Sequence, residues 1–378
     1  MAISPATVSP RDPLNAAILS VAEDRLAGFQ ADPFGEIAIR TALPIDDVLE
    51  RIRGMLAAGT IRRVRQTVQA TRLAAGALVA WRVPREGLDA AFDFLTKDDP
   101  FSGHVVLRST DPGAAGHEYR LWTTLKVPQG YSLRRHCEYL KSRIDAEDYH
   151  AMPARRLFVL GVGHLRRRQL EPGSRSAHSA EALTTDVVRL APGQWAVLDA
   201  LKRDFQPDEI VRDLWARRAL EAGLFVDEFI ANARELDALG LMGRFSTFLE
   251  HVKPLSTGER VTRYNALFHW AVPPGREIEA GSEIGRHDIL THAYWREGGP
   301  GFGNVNVMAV AHGMDRDLLL RHKQAIDEHL RSVGVPVSYT NVFWGGRSEI
   351  KPSEVLPTAY ERWCRSLGID PGMMREDA

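Results

Sequence analysis

Two histidines stand four residues ahead of an arginine at matching places in the chain: His104 with Arg108, and His292 with Arg296. Histidine titrates near pH 7 and gives or takes a proton there, while arginine holds carboxylates through two parallel N–H bonds. A pair of HxxxR segments therefore suits a site that binds an acidic molecule and moves a proton. Tyr294, inside the second segment, and His117 and Arg120, in HEYRLWTTL, add polar groups of the same kind. His136, His150, His164, His178, His251, His287, His322 and His329 show no partner pattern and read as surface or packing residues. Cys137 and Cys364 are the only cysteines and lack CxxC spacing, so the sequence supports no thiolate metal site and no disulfide framework. The run GGPGFGNVN, residues 298–306, lacks the strand-to-helix context of a phosphate loop and reads as a flexible loop over a site. No metal site is expected.

The elements that must position these residues repeat. LNAAILSVAEDRLA, FGEIAIRTA and IDDVLERIRGMLAAG carry apolar residues at helical spacing, and the strand-like IRRVRQTVQ follows. The same order returns as QWAVLDALKRD, PDEIVRDLWARRALEAG and VDEFIANARELDALG, then LMGRFSTFLEHV. Each is the pattern of a winged helix-turn-helix. Each is followed by an alternating strand ending in proline, ALVAWRVP at 77–84 and ALFHWAVP at 266–273. His104 lies twenty residues past Pro84, and His292 nineteen past Pro273. A further strand, helix and strand complete both blocks, which gives the split-βαβ, ferredoxin-like plan if residues 85–100 and 274–288 form the first helices. The second of these is weak, because three glycines interrupt it.

The expected fold class is α+β, a tandem repeat of winged helix-turn-helix plus ferredoxin-like domain, with the halves packed as a pseudo-dimer over a face or edge that each sheet leaves uncovered. The expected boundaries are 13–72 and 189–252 for the winged helices, 73–165 and 253–355 for the ferredoxin-like domains, 166–188 for a Ser-, Arg- and Pro-rich linker, and 356–378 for a tail. Trp81, Trp122 and Trp270 lie in alternating strands and read as core. A hydrophobic content of 44% marks an ordinary globular chain. No apolar run is long enough to span a membrane and no secretory signal opens the chain, so a cytoplasmic protein is expected. Forty-eight basic against 49 acidic residues remove the global positive field of a nucleic-acid protein.

A winged helix followed by a ferredoxin-like domain is the layout of Lrp/AsnC-type regulators. Within that superfamily the chain resembles the siroheme decarboxylases, with their two related subunits fused. GHVVLR, HEYRLWTTL and PARRLFVLGV carry the likeness in the first half; THAYWRE and the AHG turn carry it in the second. Arg120 stands where the family has Asn, and Val105-Val106 where it has Asn-Tyr. The resemblance implies removal of acetate carboxyls from a siroheme-like tetrapyrrole as carbon dioxide, in heme or heme d1 type biosynthesis. His104 and His117 would be catalytic in one pocket, and Arg108, Arg120, His292, Tyr294 and Arg296 would bind substrate. No added cofactor is required, since the macrocycle delocalises the electrons left behind. The expected partner is the tetrapyrrole, with a homo-oligomer compatible. Two other functions fit the same layout: a DNA-binding regulator and a tetrapyrrole sensor without turnover. DNA binding is disfavoured, because Asp46, Asp47, Asp227 and Glu228 occupy the helix starts that would face phosphate.

Overall fold

The computed structural model describes residues 8–160, 170–250 and 262–376. Asp12 accepts from the backbone N–H groups of Leu14 and Asn15 to open α1 (Pro13–Ala22), and Asp32 accepts from Gly35 to open α2 (Pro33–Thr41). β1 (Leu26–Ala27) lies between them. α3 (Ile45–Ala57) carries Asp46 and Asp47 in its first turn, where the helix dipole favours them, and β2 (Ile61–Val68) follows. Next come β3 (Ala74–Arg82), α4 (Leu88–Lys97), β4 (Ser102–Ser109), β5 (Leu121–Pro128), α5 (Leu133–Arg143) and β6 (Asp148–Leu160). After β7 (Leu183–Thr184) the chain forms α6 (Pro192–Lys202), α7 (Ala216–Glu221), α8 (Val226–Ala238) and β8 (Met242–Leu249). It ends with β9 (Tyr264–Ala271), α9 (Glu277–Gly285), β10 (Leu290–Arg296), β11 (Val307–Gly313), α10 (Arg316–Ser332), β12 (Tyr339–Ile350) and α11 (Pro357–Ser366).

Contacts gather these elements into two units. In the first, the helical segments far apart in sequence share one antiparallel sheet of order β1-β8-β2. They also share an aromatic core, in which Trp215 meets Phe29, Phe205, Phe229 and Phe245. The long helix expected over PDEIVRDLWARRALEAG is a short 3-10 turn (Pro207–Glu209) and α7. Trp215 sinks into the aromatic core and donates its indole N–H to the Gln30 carbonyl, so packing overrides the helical pattern between them.

The second unit is a closed β-barrel. Eight strands pair antiparallel in the order β10-β11-β9-β12-β4-β5-β3-β6, and β6 returns to β10. Each half supplies four strands in one order, β4-β5-β3-β6 and β10-β11-β9-β12, and the halves join edge to edge at β12–β4 and β6–β10. Of the two contacts left open by the sequence, face or edge, the chain uses the edges. Outside the barrel, helices α4 and α5 cover a core with Trp81, Phe92, Phe101, Cys137 and Leu140. Helices α9 and α10 cover a second core with Phe268, Trp270, Ile284 and Ile326. Burial pushes the Cys137 thiol up to about 12, as suits a cysteine packed in a core as a small apolar side chain.

Two segments do more than the sequence suggested. The tail is α11, which drives Tyr360, Trp363 and Cys364 into the first outer core and places the Tyr360 hydroxyl 2.8 Å from Nδ1 of buried His136. Residues 170–187 of the supposed linker pack on both halves: β7 pairs with β6 of the first, and Leu170, Ala180 and Ala182 lie against the outer core of the second. Its arginines at 166–168 lie outside the described residues. The weak helix at 274–288 forms as α9, and its glycines have a packing reason. A Cβ on Gly281 would stand 2.1 Å from Cε2 of Phe158, and one on Gly285 would stand 2.7 Å from Cβ of Ala180. Gly281→Ala should accordingly cost about 1–3 kcal/mol, the usual range for overpacking. Urea unfolding of Gly281→Ala, Phe158→Leu and the double variant checks this, with the double variant recovering part of the loss.

Candidate active site

Strand alternation decides which side chains enter the barrel. On β4, Val105 and Leu107 join the outer core, whereas Val106 joins an inner cluster with Ala80, Trp122, Met152, Leu267, Phe302, Met308 and Phe343. His104 and Arg108 lie two residues either side of Val106 and share its inward face. On β5, Lys126 follows Trp122 and Thr124 on the inner side. On β10, Ala293 and Trp295 face outward, leaving His292, Tyr294 and Arg296 directed inward. His269 lies between inward Leu267 and Ala271, and His312 two residues beyond Val310.

The two HxxxR segments are structural equivalents. In the first half Ala80, Trp122 and Val106 sit side by side on β3, β5 and β4; in the second His269, Met308 and Tyr294 do so on β9, β11 and β10. Two residues along, His104 opposes Thr124 and His292 opposes Val310. At the other end, the Arg108 amide donates to the Arg120 carbonyl at 2.7 Å and that of Arg296 to the Asn306 carbonyl at 3.0 Å. Nη1 of Arg108 donates to the Phe343 carbonyl, and Nη1 of Arg296 to the Met152 carbonyl. Lys126 and His312 also correspond, through Gly76 and Asn265 opposite them. His104, Lys126, His292 and His312 thus ring one end of the barrel, each half-buried, with Arg108 and Arg296 deeper on opposite walls.

Hydrogen bonds tie the ring to the deeper layer. Arg108 donates to Oδ1 of Asn265 at 3.1 Å, and Nδ2 of Asn265 donates to Nε2 of His312 at 3.0 Å. Nε2 of neutral His312 is therefore an acceptor, which leaves its proton on Nδ1, 3.3 Å from the Thr291 hydroxyl. Thr291 lies 3.0 Å from Nδ1 of His292, whose ring stacks on Tyr294 at 6.2 Å. The relay runs from an arginine of the first half to a histidine of the second. Nε2 of His104 lies 2.7 Å from the hydroxyl of Ser348, so His104 too is oriented from the other half.

The interior is cationic. Desolvation lowers Arg108 to about 9 and Arg296 to about 10, with Tyr294 stacked 4.5 Å from the Arg296 guanidinium. Burial, helped by repulsion from Arg296, lowers Lys126 to about 7. No carboxylate acts on any of the three among the described residues. A Cβ on Gly76 would stand 2.7 Å from Nζ of Lys126, so the absent side chain makes room for the ammonium. An occupant that neutralises such a site must be anionic.

The opposite end is closed. Phe302, from the loop expected to be flexible, is buried among Tyr119, Trp122 and His150 at ring separations of 5.0, 5.6 and 5.2 Å. The correction has a simple cause, since burying one aromatic ring holds the glycine-rich turn down. His117 and Arg120 lie at this end as well, exposed, in the turn that leaves β4. His117 bonds to the Ala114 carbonyl within that turn. With His104 at the start of β4, about 16 Å of strand separates the two histidines, so the structure does not bring them into one pocket. Arg120 contributes only its backbone carbonyl to Arg108.

Sequence reasoning passed over Lys126, His269, His312, Asn265 and Ser348. The first three could have been found by carrying inward alternation through LWTTLKVP, ALFHWAVP and VMAVAHG. Asn265 and Ser348 depend on the pairing of β12 with both β9 and β4, for which the sequence offers no sign.

Residues 73–158 match the model of the AsnC-like ligand binding domain. The chain is 23% identical over 340 residues to a siroheme decarboxylase of Hydrogenobacter thermophilus, covering 89% of this chain and 93% of that protein. It is 33% identical over 135 residues to the siroheme decarboxylase alpha subunit of Desulfovibrio desulfuricans, covering 33% of this chain and 73% of the subunit. The chain belongs to the siroheme decarboxylase family. The family lies within the Lrp/AsnC superfamily, as the AsnC-like match indicates. A crystal structure of the siroheme decarboxylase NirDL in co-complex with an iron-uroporphyrin III analogue has the same fold, with a TM-score of 0.63 at 18% identity over 94% of this chain and 98% of that one. For this family member the half-buried lysine offers a test in the ligand-free protein. An unfolded lysine keeps its ordinary value of 10.5, so folding sheds a proton between about pH 7 and 10.5 and stability climbs across that window. Lys126→Met removes the cost of the buried charge. Its melting temperature should exceed wild type by about 2–8 °C below pH 7, and the gain should fade toward pH 10.5, as calorimetry across that range would record.

Proposed function

We propose that the barrel binds a siroheme-like tetrapyrrole by its carboxylates and removes acetate carboxyls as carbon dioxide. The observation that carries this reading is the set of inward cations, Arg108, Arg296 and Lys126, with no acid among the described residues acting on them. Family membership supports the same substrate, since the relatives named above are siroheme decarboxylases and the solved neighbour holds an iron-uroporphyrin analogue.

In the proposed reaction the bond between the arm's methylene carbon and its carboxyl breaks. Carbon dioxide leaves, and the electron pair passes into the macrocycle, so the reading calls for no added cofactor. The methylene carbon then takes a proton from His104, becoming a methyl group, and His104 regains a proton from solvent. Ser348 orients the His104 ring for this step. Arg108, Arg296 and Lys126 hold the remaining carboxylates, and His292 with Tyr294 lines the opposite wall. His117 and Arg120, exposed at the closed end, take no part in this reading.

The finer architecture belongs to the same proposal. The strand order of each half supports a ferredoxin-like plan for 73–165 and 253–355, and the helix order supports winged helices at 13–72 and 189–252. Because one chain supplies both halves of the barrel, a complete site needs no second copy, although a homo-oligomer is compatible. No helix among the described residues is long and apolar enough to cross a membrane. The ion pair of Asp46 with Arg212 gives that carboxylate a structural partner in the first unit, which weighs against a regulator reading.

Incubating the purified chain anaerobically with siroheme should yield products lighter by one carbon dioxide per arm, followed by mass spectrometry. Binding with no mass change would leave the sensor reading. His104→Ala should lower turnover by about 10²-fold or more, while His117→Ala should match wild type. His292→Ala should alter affinity or the bound pigment's absorption spectrum before it abolishes turnover.

A further inference from the structure

One part of the interior is unexplained by the ring of ionisable groups at the accessible end. Deeper in, Arg108 is 5% and His269 1% exposed, and both carry a buried nitrogen without a hydrogen-bond partner, Nε of Arg108 and Nε2 of His269. Asn341 pairs directly with His269 across β12 and β9. Its Oδ1 accepts from Thr110 and from the Val342 amide, which leaves Nδ2 buried and unpaired as well. Unpaired buried nitrogens are rare and costly, and three from neighbouring strands on one inward face point to a missing acceptor.

We infer that Arg108, His269 and Asn341 form an inner carboxylate seat, which takes one acid arm of the tetrapyrrole and fixes the way the macrocycle faces in the barrel. The inference rests on the tetrapyrrole reading and extends it to residues outside the HxxxR pattern. The opposite wall is built differently: His150, at the position of Asn341, also has a buried unpaired Nε2, but its ring packs on Phe302 at the closed end. In the first half the position of His269 is Ala80, and the equivalent arginine, Arg296, has Tyr294 stacked on it instead. A barrel with two equivalent walls would accept a flat disc in either of two orientations; one seat selects between them.

The chemistry of the seat depends on its charge. Arg108 is the charged group bearing on His269, and together with desolvation it holds the imidazole down to about 3. The ring's neighbours Trp122 and Phe343, at 6.1 and 5.0 Å, do not titrate near neutrality. An arriving carboxylate offsets the repulsion from Arg108 and supplies an acceptor for a protonated ring. His269, neutral in the empty barrel, therefore takes up a proton when the arm binds.

The test is calorimetric binding of iron-uroporphyrin III at pH 6 in two buffers of different ionisation enthalpy, which counts protons taken up. It compares wild type with His269→Gln and His269→Leu, the latter expected to fold well because it removes an unpaired buried polar group. Wild type should take up one proton more than either variant, and His269→Leu should bind about tenfold or more weakly. His269→Gln, which can still donate to the carboxylate, should recover part of the affinity and none of the proton. Equal proton uptake in wild type and variants, or unchanged affinity in His269→Leu, overturns the seat while leaving the function standing. Failure of wild type itself to bind the iron-porphyrin overturns the tetrapyrrole reading.

Discussion

Edge-to-edge pairing of the two halves is the constraint on which the rest of the larger unit depends. Each four-stranded set presents two strand edges, and unpaired edges expose backbone donors and acceptors that invite association. The joins β12–β4 and β6–β10 satisfy both pairs within one chain, and they also create the interior. Without closure, His104 would have no Ser348 beside it and Arg108 would reach neither Asn265 nor the Phe343 carbonyl. The inner surface belongs to neither half alone.

That interior differs from an ordinary protein core. The apolar cluster of Trp122, Phe302, Met308 and Phe343 fills the closed end, while cations and histidines occupy the remainder. Placing guanidinium and ammonium groups where desolvation lowers them all is costly for an empty protein. The cost makes sense for a protein whose stability is completed by a polyanionic occupant, because binding to the folded state alone adds stability by mass action. Outside the barrel the reverse holds: buried Asp99 has His136, Ser102 and a backbone amide around it, and Glu283 has His329, Arg286 and Ser179. Those outer carboxylates have cationic or hydrogen-bonding neighbours, whereas no carboxylate among the described residues acts on the three cations within the barrel.

Much of this was legible in the sequence, and the limits have physical causes. The matching HxxxR spacing signals that His104 and Arg108 take places equivalent to His292 and Arg296, because a repeat preserves register, and register carries facing. The placing of His117 away from His104 is not legible, because a motif position in a turn fixes no direction, and this turn leaves the far end of β4. α9 was underrated because helix propensity counts glycine as a loss, while contact with Phe158 leaves no room for a side chain at Gly281. The sequence offers the tail and linker no packing partner because those partners lie far away in sequence: α11 belongs to a core laid down by residues 77–146, and β7 to a strand ending before the linker begins. Pairing across such separations leaves no local periodicity to read.

The covalent joining of the two halves has an evolutionary consequence. In a barrel built from two copies of one subunit, any substitution appears on both walls, so a change that helps one side of the ligand is imposed on the other. Here Ala80 and His269 occupy equivalent places, as do Lys126 and His312, and Gly76 and Asn265. A single gene encoding both walls frees each position to drift independently. Such a chain can give its two walls different chemistry and so discriminate among chemically similar substituents on a nearly symmetric ring.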